Sequence, residues 1–583
     1  MQRLLHLLRQ FGTRPVRAVA ISAAVVTAVM ILAVGGGADA QPTPAIGSSA
    51  PLVSGTPAPA AVSPAPPAAG APSAAVVDAK APVAVDHPNA PKGNTDPKIA
   101  ALCAVKNKPK VLQPLWEKLV PIGVMLLIIA LVLWRLPKVD LGHSPAFRRR
   151  RMLNWLPLGL TYSFLYMGRY NLKAFQGIDG GLTEAQYGVI FGVGSAVYGL
   201  SFLLNGPLTD RWGGRATIII SSAGSAVANL IMGAMVVFDI GGEHRVPLFA
   251  ALYGLNMYFQ SFGAVSIVKV NTAWFHVRER GTFGGIFGIL ISLGVFFGYD
   301  GVPLILEYLP NPWLFIFPAA ILLVFAVLCF MFVRDSPAQA GFEDFDLGDG
   351  ASADGGPALG VRAVMWKIIS NPIILTIACI ELCSGFLRQA ILQWGFDFGR
   401  GVGLGKDFIF ANWGVTNCIA GILGGIFAGA ISDHLFQSRR GPVSAVLYGI
   451  MLAGAMLIIP MFWFPHAIPW VIAFMSMAII GVHGMLSGTA SGDFGGRKNA
   501  GIAVGIIDGF VYIGSTIQSF LYGATLPAAK VYCADGSARG NPAAKSMDAW
   551  YIWPIAMLPV ALLGFVLALR LWNAKANKQS GGH

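Results

Sequence analysis

Residues 206–215 read GPLTDRWGGR, and residues 429–441 read GAISDHLFQSRRG. Each stretch lies between two apolar runs long enough to cross a bilayer, which takes about 20 residues. In the first, Gly206, Asp210, Arg211, Gly213 and Arg215 mark the turn; in the second, Gly429, Asp433, Arg439 and Arg440 do. The two aspartates stand 223 residues apart. Gly281, Gly285 and Gly294 precede Gly501, Gly505 and Gly514 by 220 residues, and Arg169 precedes Arg388 by 219. Three unlike features at nearly one offset describe a chain that repeats itself. The small residues let helices approach, the aspartate can face a helix N-terminus or an arginine, and the arginines anchor one membrane face.

Outward from these turns, twelve apolar spans follow Leu153, at about 153–175, 185–208, 215–238, 246–274, 281–300, 312–333, 369–396, 407–431, 441–463, 468–490, 500–525 and 547–571. The long acidic loop between spans six and seven divides them into six plus six. The fold class expected is therefore an all-α membrane protein of two parallel six-helix halves. That layout belongs to rocker-switch carriers, whose site lies near the midplane between the halves. Charged residues make up only 12% of the chain and hydrophobic ones 55%. A soluble domain carries about 25% charge, so a soluble or disordered protein is excluded. The net charge of +13 reads as membrane topology rather than a nucleic-acid face, because Lys and Arg mark cytoplasmic loops.

The first 152 residues differ. Residues 1–40 have a basic start and an apolar run to Val34, then Ala38-Asp39-Ala40, which reads as a signal peptide or an uncleaved anchor. Residues 41–110 are Ala/Pro-rich, an extracytoplasmic linker unable to bury a core. Residues 111–152 hold an extra transmembrane helix and the basic cluster Arg148–Arg151. Residues 153–333 and 369–572 form the halves, 334–368 the central cytoplasmic loop and 573–583 a cytoplasmic tail. A bacterial-type inner membrane is the setting expected.

GPLTDRWGGR resembles the loop signature GxxxDRxGxR of the major facilitator superfamily. Four further stretches, YMGRYNLKAF (166–175), WFHVRERGTFGGIFG (274–288), VRDSPAQAGF (333–342) and GAISDHLFQSRRGPVS (429–444), resemble the organophosphate:phosphate antiporters, the glycerol-3-phosphate and hexose-phosphate transporters. The resemblance covers roughly 150–572. It implies exchange of a small organic phosphate for inorganic phosphate, with no cofactor and no enzymatic step, by an expected monomer in the lipid bilayer. It also implies that an arginine on the first helix and one on the seventh bind the phosphate, roles that fall on Arg169 and Arg388. Ile291 stands where glycerol-3-phosphate transporters carry a histidine, a departure that weakens the case for glycerol-3-phosphate specifically and leaves the phosphate clamp intact. A proton- or sodium-coupled anion transporter and a sugar-phosphate membrane sensor are the competing readings.

A cation at the bilayer centre costs at least about 2.5–3.5 kcal/mol, so intramembrane charges point to a pathway or a partner. Lys173 shares a face with Arg169 one turn on and joins the expected substrate site. Arg388 either clamps phosphate or is neutralised by Glu381, seven residues earlier on its face. Lys269 is a pathway charge or snorkels to the interface. Asp508 pairs, senses protons or sits near the membrane edge; His483 lines the pathway or bonds between helices. Tyr166 is a cavity-lining candidate or packs. Asp210 and Asp433, with Arg211, Arg215, Arg439 and Arg440, are expected to latch the cytoplasmic gate. Cys379 and Cys383 share a helix face and read as packing, not a metal pair. Topology puts Cys103 and Cys533 on one side, where they form a disulfide or stay apart. No metal site is expected.

Overall fold

The computed structural model describes residues 97–104, 115–135, 141–276, 279–345, 366, 370–436, 440–486 and 500–573. The expected leader, nearly all of the linker, most of the central loop and most of the tail lie outside the described residues, as do Arg439 and the side chains of Asp433 and Arg440.

A short helix α1 (Pro97–Ala104) and a membrane-length helix α2 (Leu115–Arg135) precede the repeat. The first half is α3 (Pro145–Phe175), α4 (Glu184–Trp212), α5 (Gly214–Val237), α6 (Arg245–Trp274), α7 (Arg280–Phe296) and α8 (Trp313–Phe332). The second is α9 (Pro372–Gln389), α10 (Trp413–Ala430), α11 (Arg440–Ile458), α12 (Ile468–His483), α13 (Ala500–Thr525) and α14 (Ile552–Arg570). Nine described helices are long and apolar enough to cross a membrane.

Capping fixes several starts. Ser144 Oγ accepts from the Phe147 amide at 3.2 Å, and Pro145 opens α3. Thr183 and Gln186 form a reciprocal capping box on α4. The basic cluster expected ahead of the first span instead lies on α3, because the Ser-Pro start sits a full turn or more before the apolar run. These arginines are stitched to neighbours: Arg151 grips both oxygens of Glu279 at 2.9 Å, and Arg150 donates to the Phe332 carbonyl at 2.8 Å. Spans five and seven also run longer than hydropathy suggests. A π-helical turn at Phe297–Gly301 carries α7 on to Tyr308, and one at Ala390–Gly395 carries α9 on to Gly401. The loop between α13 and α14 adds a feature no apolar pattern signals, an antiparallel pair β1 (Lys530–Tyr532) and β2 (Ala538–Gly540), with Val531 opposite Arg539.

The halves meet where α4 packs on α13 and α7 on α10. Glycines make the first contact possible: a Cβ on Gly188 would fall 2.7 Å from Gly523 Cα. The extra helix α2 lies along the second contact. Its Met125 is buried against Ile289 and Phe296 of α7 and Val415, Cys418 and Ile422 of α10, and Lys118 pairs with Glu307.

Candidate functional site

Four amides build a floor inside the first half. Asn171 donates to Asn229 at 2.7 Å, and Asn229 and Gln260 both donate to Asn256 Oδ1 at 3.1 Å. Gln260 then accepts from Arg169 Nε at 3.0 Å, while Tyr253 donates to the Arg169 carbonyl at 3.1 Å. None of the four stands out in the sequence by a motif or a charge. Their signal was there, because amides in apolar spans need partners.

Arg169 is thereby held inside the first half, 2% exposed. Its Nη1 donates to Tyr512 Oη of the second half at 2.7 Å. Its guanidinium lies over the rings of Tyr166 at 4.7 Å and Tyr198 at 4.4 Å. Nη2 is buried with no hydrogen-bond partner among the described residues, as is Nε of Arg388. Aromatic faces and neutral oxygens offset a buried cation only in part. The alternative partner of Arg388, Glu381, instead pairs through Oε2 with His483 Nδ1 at 3.0 Å.

One turn beyond Arg169, Lys173 meets a partner the sequence did not announce. Its Nζ lies 2.5 Å from Asp397 Oδ2 and 2.8 Å from Gln176 Oε1, over the ring of Tyr187. A further chain crosses between halves: Tyr187 donates to Gln393, Gln393 to Gln389 at 2.6 Å, and Gln389 to Tyr170 at 3.4 Å. Asp300, on the π-turn after α7, caps the first turn of α10 by accepting from the Gly414 and Val415 amides at 2.9 and 2.8 Å. The hairpin completes the seal. Glu184 accepts from the Ala529 amide at 2.9 Å, Tyr532 donates to the Leu182 carbonyl at 2.8 Å, and Gly180 to that of Gly536 at 3.0 Å. Burial pushes the Lys530 ammonium of this hairpin below its ordinary value, and Arg400 acts in the same direction. Cys103 of α1 is disulfide-bonded to Cys533, with Cα atoms 5.7 Å apart.

Among the described residues, the hydrogen bonds joining the halves run from the level of Arg169 to this hairpin end. The opposite, basic end carries the gating motif. Lys269 pairs with Asp210 at 2.8 Å, both substantially exposed. Asp335 accepts from the Arg215 amide at 2.8 Å. Gly213 adopts φ +85°, and a Cβ there would fall 2.5 Å from Asp335 Oδ2. Arg215 donates to the Phe330 carbonyl at 2.6 Å. Two surface clefts, of about 900 and 540 Å³, lie at the hairpin and basic ends, and neither is lined by Arg169 or Arg388. Asp508 lies partly buried on α13.

Twelve helices in two repeated halves, with Arg169 buried in the first and Arg388 partly buried in the second, accord with the sequence profile of the Major Facilitator Superfamily, which matches residues 158–519. The chain belongs to that superfamily. Within it, the chain is 25% identical over 452 residues to the membrane sensor protein UhpC of Salmonella typhimurium, covering 74% of this chain and 93% of that one. It is 25% identical over 406 residues to the glycerol-3-phosphate transporter of Bacillus subtilis, covering 65% and 86%. It is 23% identical over 450 residues to a probable hexose phosphate transport protein of Chlamydia trachomatis, covering 73% and 91%. Among solved structures, a bacterial homologue of the human lysosomal transporter Spinster shares the fold, with a TM-score of 0.50 at 13% identity over 74% of this chain and 97% of that one.

Proposed function

We propose that this superfamily member is a secondary transporter that exchanges a small organic phosphate for inorganic phosphate by alternating access. The observation that carries the reading is the pair Arg169 and Arg388, one from each half, each with a buried guanidinium nitrogen that has no hydrogen-bond partner among the described residues. A phosphoryl group offers several oxygens to planar guanidinium forks. Binding between two halves couples the ligand to their relative motion, since a phosphate held by both arginines favours the state that brings them together. The basic end would face the cytoplasm and the hairpin end the outside, where a disulfide persists. Relatives named for glycerol-3-phosphate and hexose phosphate transport support the substrate class. The test is exchange of labelled inorganic phosphate by the purified chain in liposomes, trans-stimulated by internal organophosphate. Uptake that needs a proton gradient and no internal phosphate would overturn antiport.

A second reading is a phosphate-ester sensor, favoured by the similarity to a membrane sensor protein. It predicts ligand binding through the same arginines without exchange.

A further inference from the structure

Glu381, Ser384 and Arg388 stand at i, i+3 and i+7 on α9, a spacing that places them on one helix face. Each has a buried polar atom with no hydrogen-bond partner among the described residues: Glu381 Oε1, Ser384 Oγ and Arg388 Nε. Glu381 and Ser384 are 0% exposed. The other carboxylate oxygen of Glu381 is held by His483 of α12, whose side chain keeps 18% exposure. The rotation of α9 is fixed on the neighbouring side, where Gly385 and Leu382 meet the backbone of α13 at Val511 and Gly514. That segment of α13 also carries Tyr512, the hydrogen-bond partner of Arg169.

A buried polar atom left unpaired costs about 1–3 kcal/mol, and more when it is charged. Three in one row on one helix face are therefore costly unless a ligand pairs them. Their order is a cation, a hydroxyl and a carboxylate. Seven residues of helix rise about 10 Å, which suits a phosphate ester followed by a short chain of hydroxyl groups. We propose that the stripe Arg388–Ser384–Glu381, backed by His483, is the subsite for the hydroxylated organic part of the substrate, with the phosphate at its Arg388 end. This rests on the phosphate-clamp reading above and adds the tail. Glu381 would accept from a tail hydroxyl and repel a second anionic group, so the site would select monophosphate esters with a neutral, hydroxylated tail.

Three phosphate esters read the stripe on the purified full chain, each titrated by the shift it produces in melting temperature: glycerol 3-phosphate, propyl phosphate (the same length without hydroxyls) and 3-phosphoglycerate (a second anion at the tail). Wild type should prefer glycerol 3-phosphate to propyl phosphate by at least about tenfold, the effect of one hydrogen bond to a charged group. Ser384→Ala and Glu381→Gln should each cut that preference by threefold or more. Glu381→Gln should also tighten 3-phosphoglycerate, which a purely structural role would not do. Ser384→Ala removes one oxygen only and keeps the test open if Glu381→Gln fails to fold. Equal preference in wild type, or a preference unchanged in Ser384→Ala, overturns the subsite. If inorganic phosphate itself produces no shift in wild type, the clamp fails first and takes the stripe with it; a phosphate shift without tail preference sinks the stripe alone.

Discussion

Lys173 of α3 and Asp397 of α9 join the two halves through an ion pair of 2.5 Å in which both side chains are almost fully buried. Breaking such a pair from one side leaves an uncompensated charge and costs about 3–5 kcal/mol. The loss falls on the arrangement closed at the hairpin end, because that is where the pair exists.

Asp397→Asn should therefore favour opening at the hairpin end. A membrane-impermeant thiol reagent should label a reporter cysteine at position 393 faster in this background. Lys173→Met combined with Asp397→Leu removes both charges and should melt higher than either single variant. Equal melting of single and double variants would show that the pair is no latch.

The phosphate clamp predicts losses from substitutions that keep charge. Arg169→Lys and Arg388→Lys retain a cation but lose the planar fork. A hydrogen bond to a charged group is worth roughly 1.5–3 kcal/mol, so phosphate exchange should fall about 10- to 150-fold with normal membrane insertion. Near-normal exchange in either variant would make that arginine structural.

The turn at the basic end separates stability from turnover. The Lys269–Asp210 pair is exposed, 42% and 53%, and exposed pairs contribute about 0–1 kcal/mol. Asp210→Asn should thus barely move the melting temperature yet slow exchange more than it weakens substrate affinity. Gly213→Ala should lower both, since its backbone is left-handed and the new methyl would strike Asp335. A fall in affinity alone for Asp210→Asn would place the residue nearer the substrate.

The disulfide predicts non-additivity. Cys103→Ser, Cys533→Ser and the double variant all break one bond, so each should lose the same stability, typically about 2–4 kcal/mol. Denaturation midpoints of the three would coincide. Independent, additive losses would mean that the two thiols are not joined in the folded protein.

Much of the architecture was legible because it depends on local chemistry. Bilayer-length apolar runs, the turn at Gly206–Arg215 and its echo, and the shared offset of Arg169 and Arg388 give twelve helices in two halves. Hydropathy could not place helix ends. Ser144-Pro145 starts α3 before its apolar run, and π-turns extend α7 and α9, because capping and backbone hydrogen bonds decide boundaries where side-chain polarity is silent. Nor could it see the β1–β2 hairpin, whose strands are three residues each.

What the sequence by itself determined was that Arg169, Lys173, Glu381 and Arg388 sit within apolar runs; that Asp397 and Glu184 are buried as well, and that Lys269 is exposed, was decided by the fold. Which partner each charge takes was decided only in three dimensions. Lys173 finds Asp397 from the other half, 224 residues away; Glu381 turns to His483 on α12; Asp300 caps α10 across the seam. A buried charge is neutralised by whatever lies within a few ångströms, and the packing of twelve helices sets those neighbours independently of their spacing along the chain.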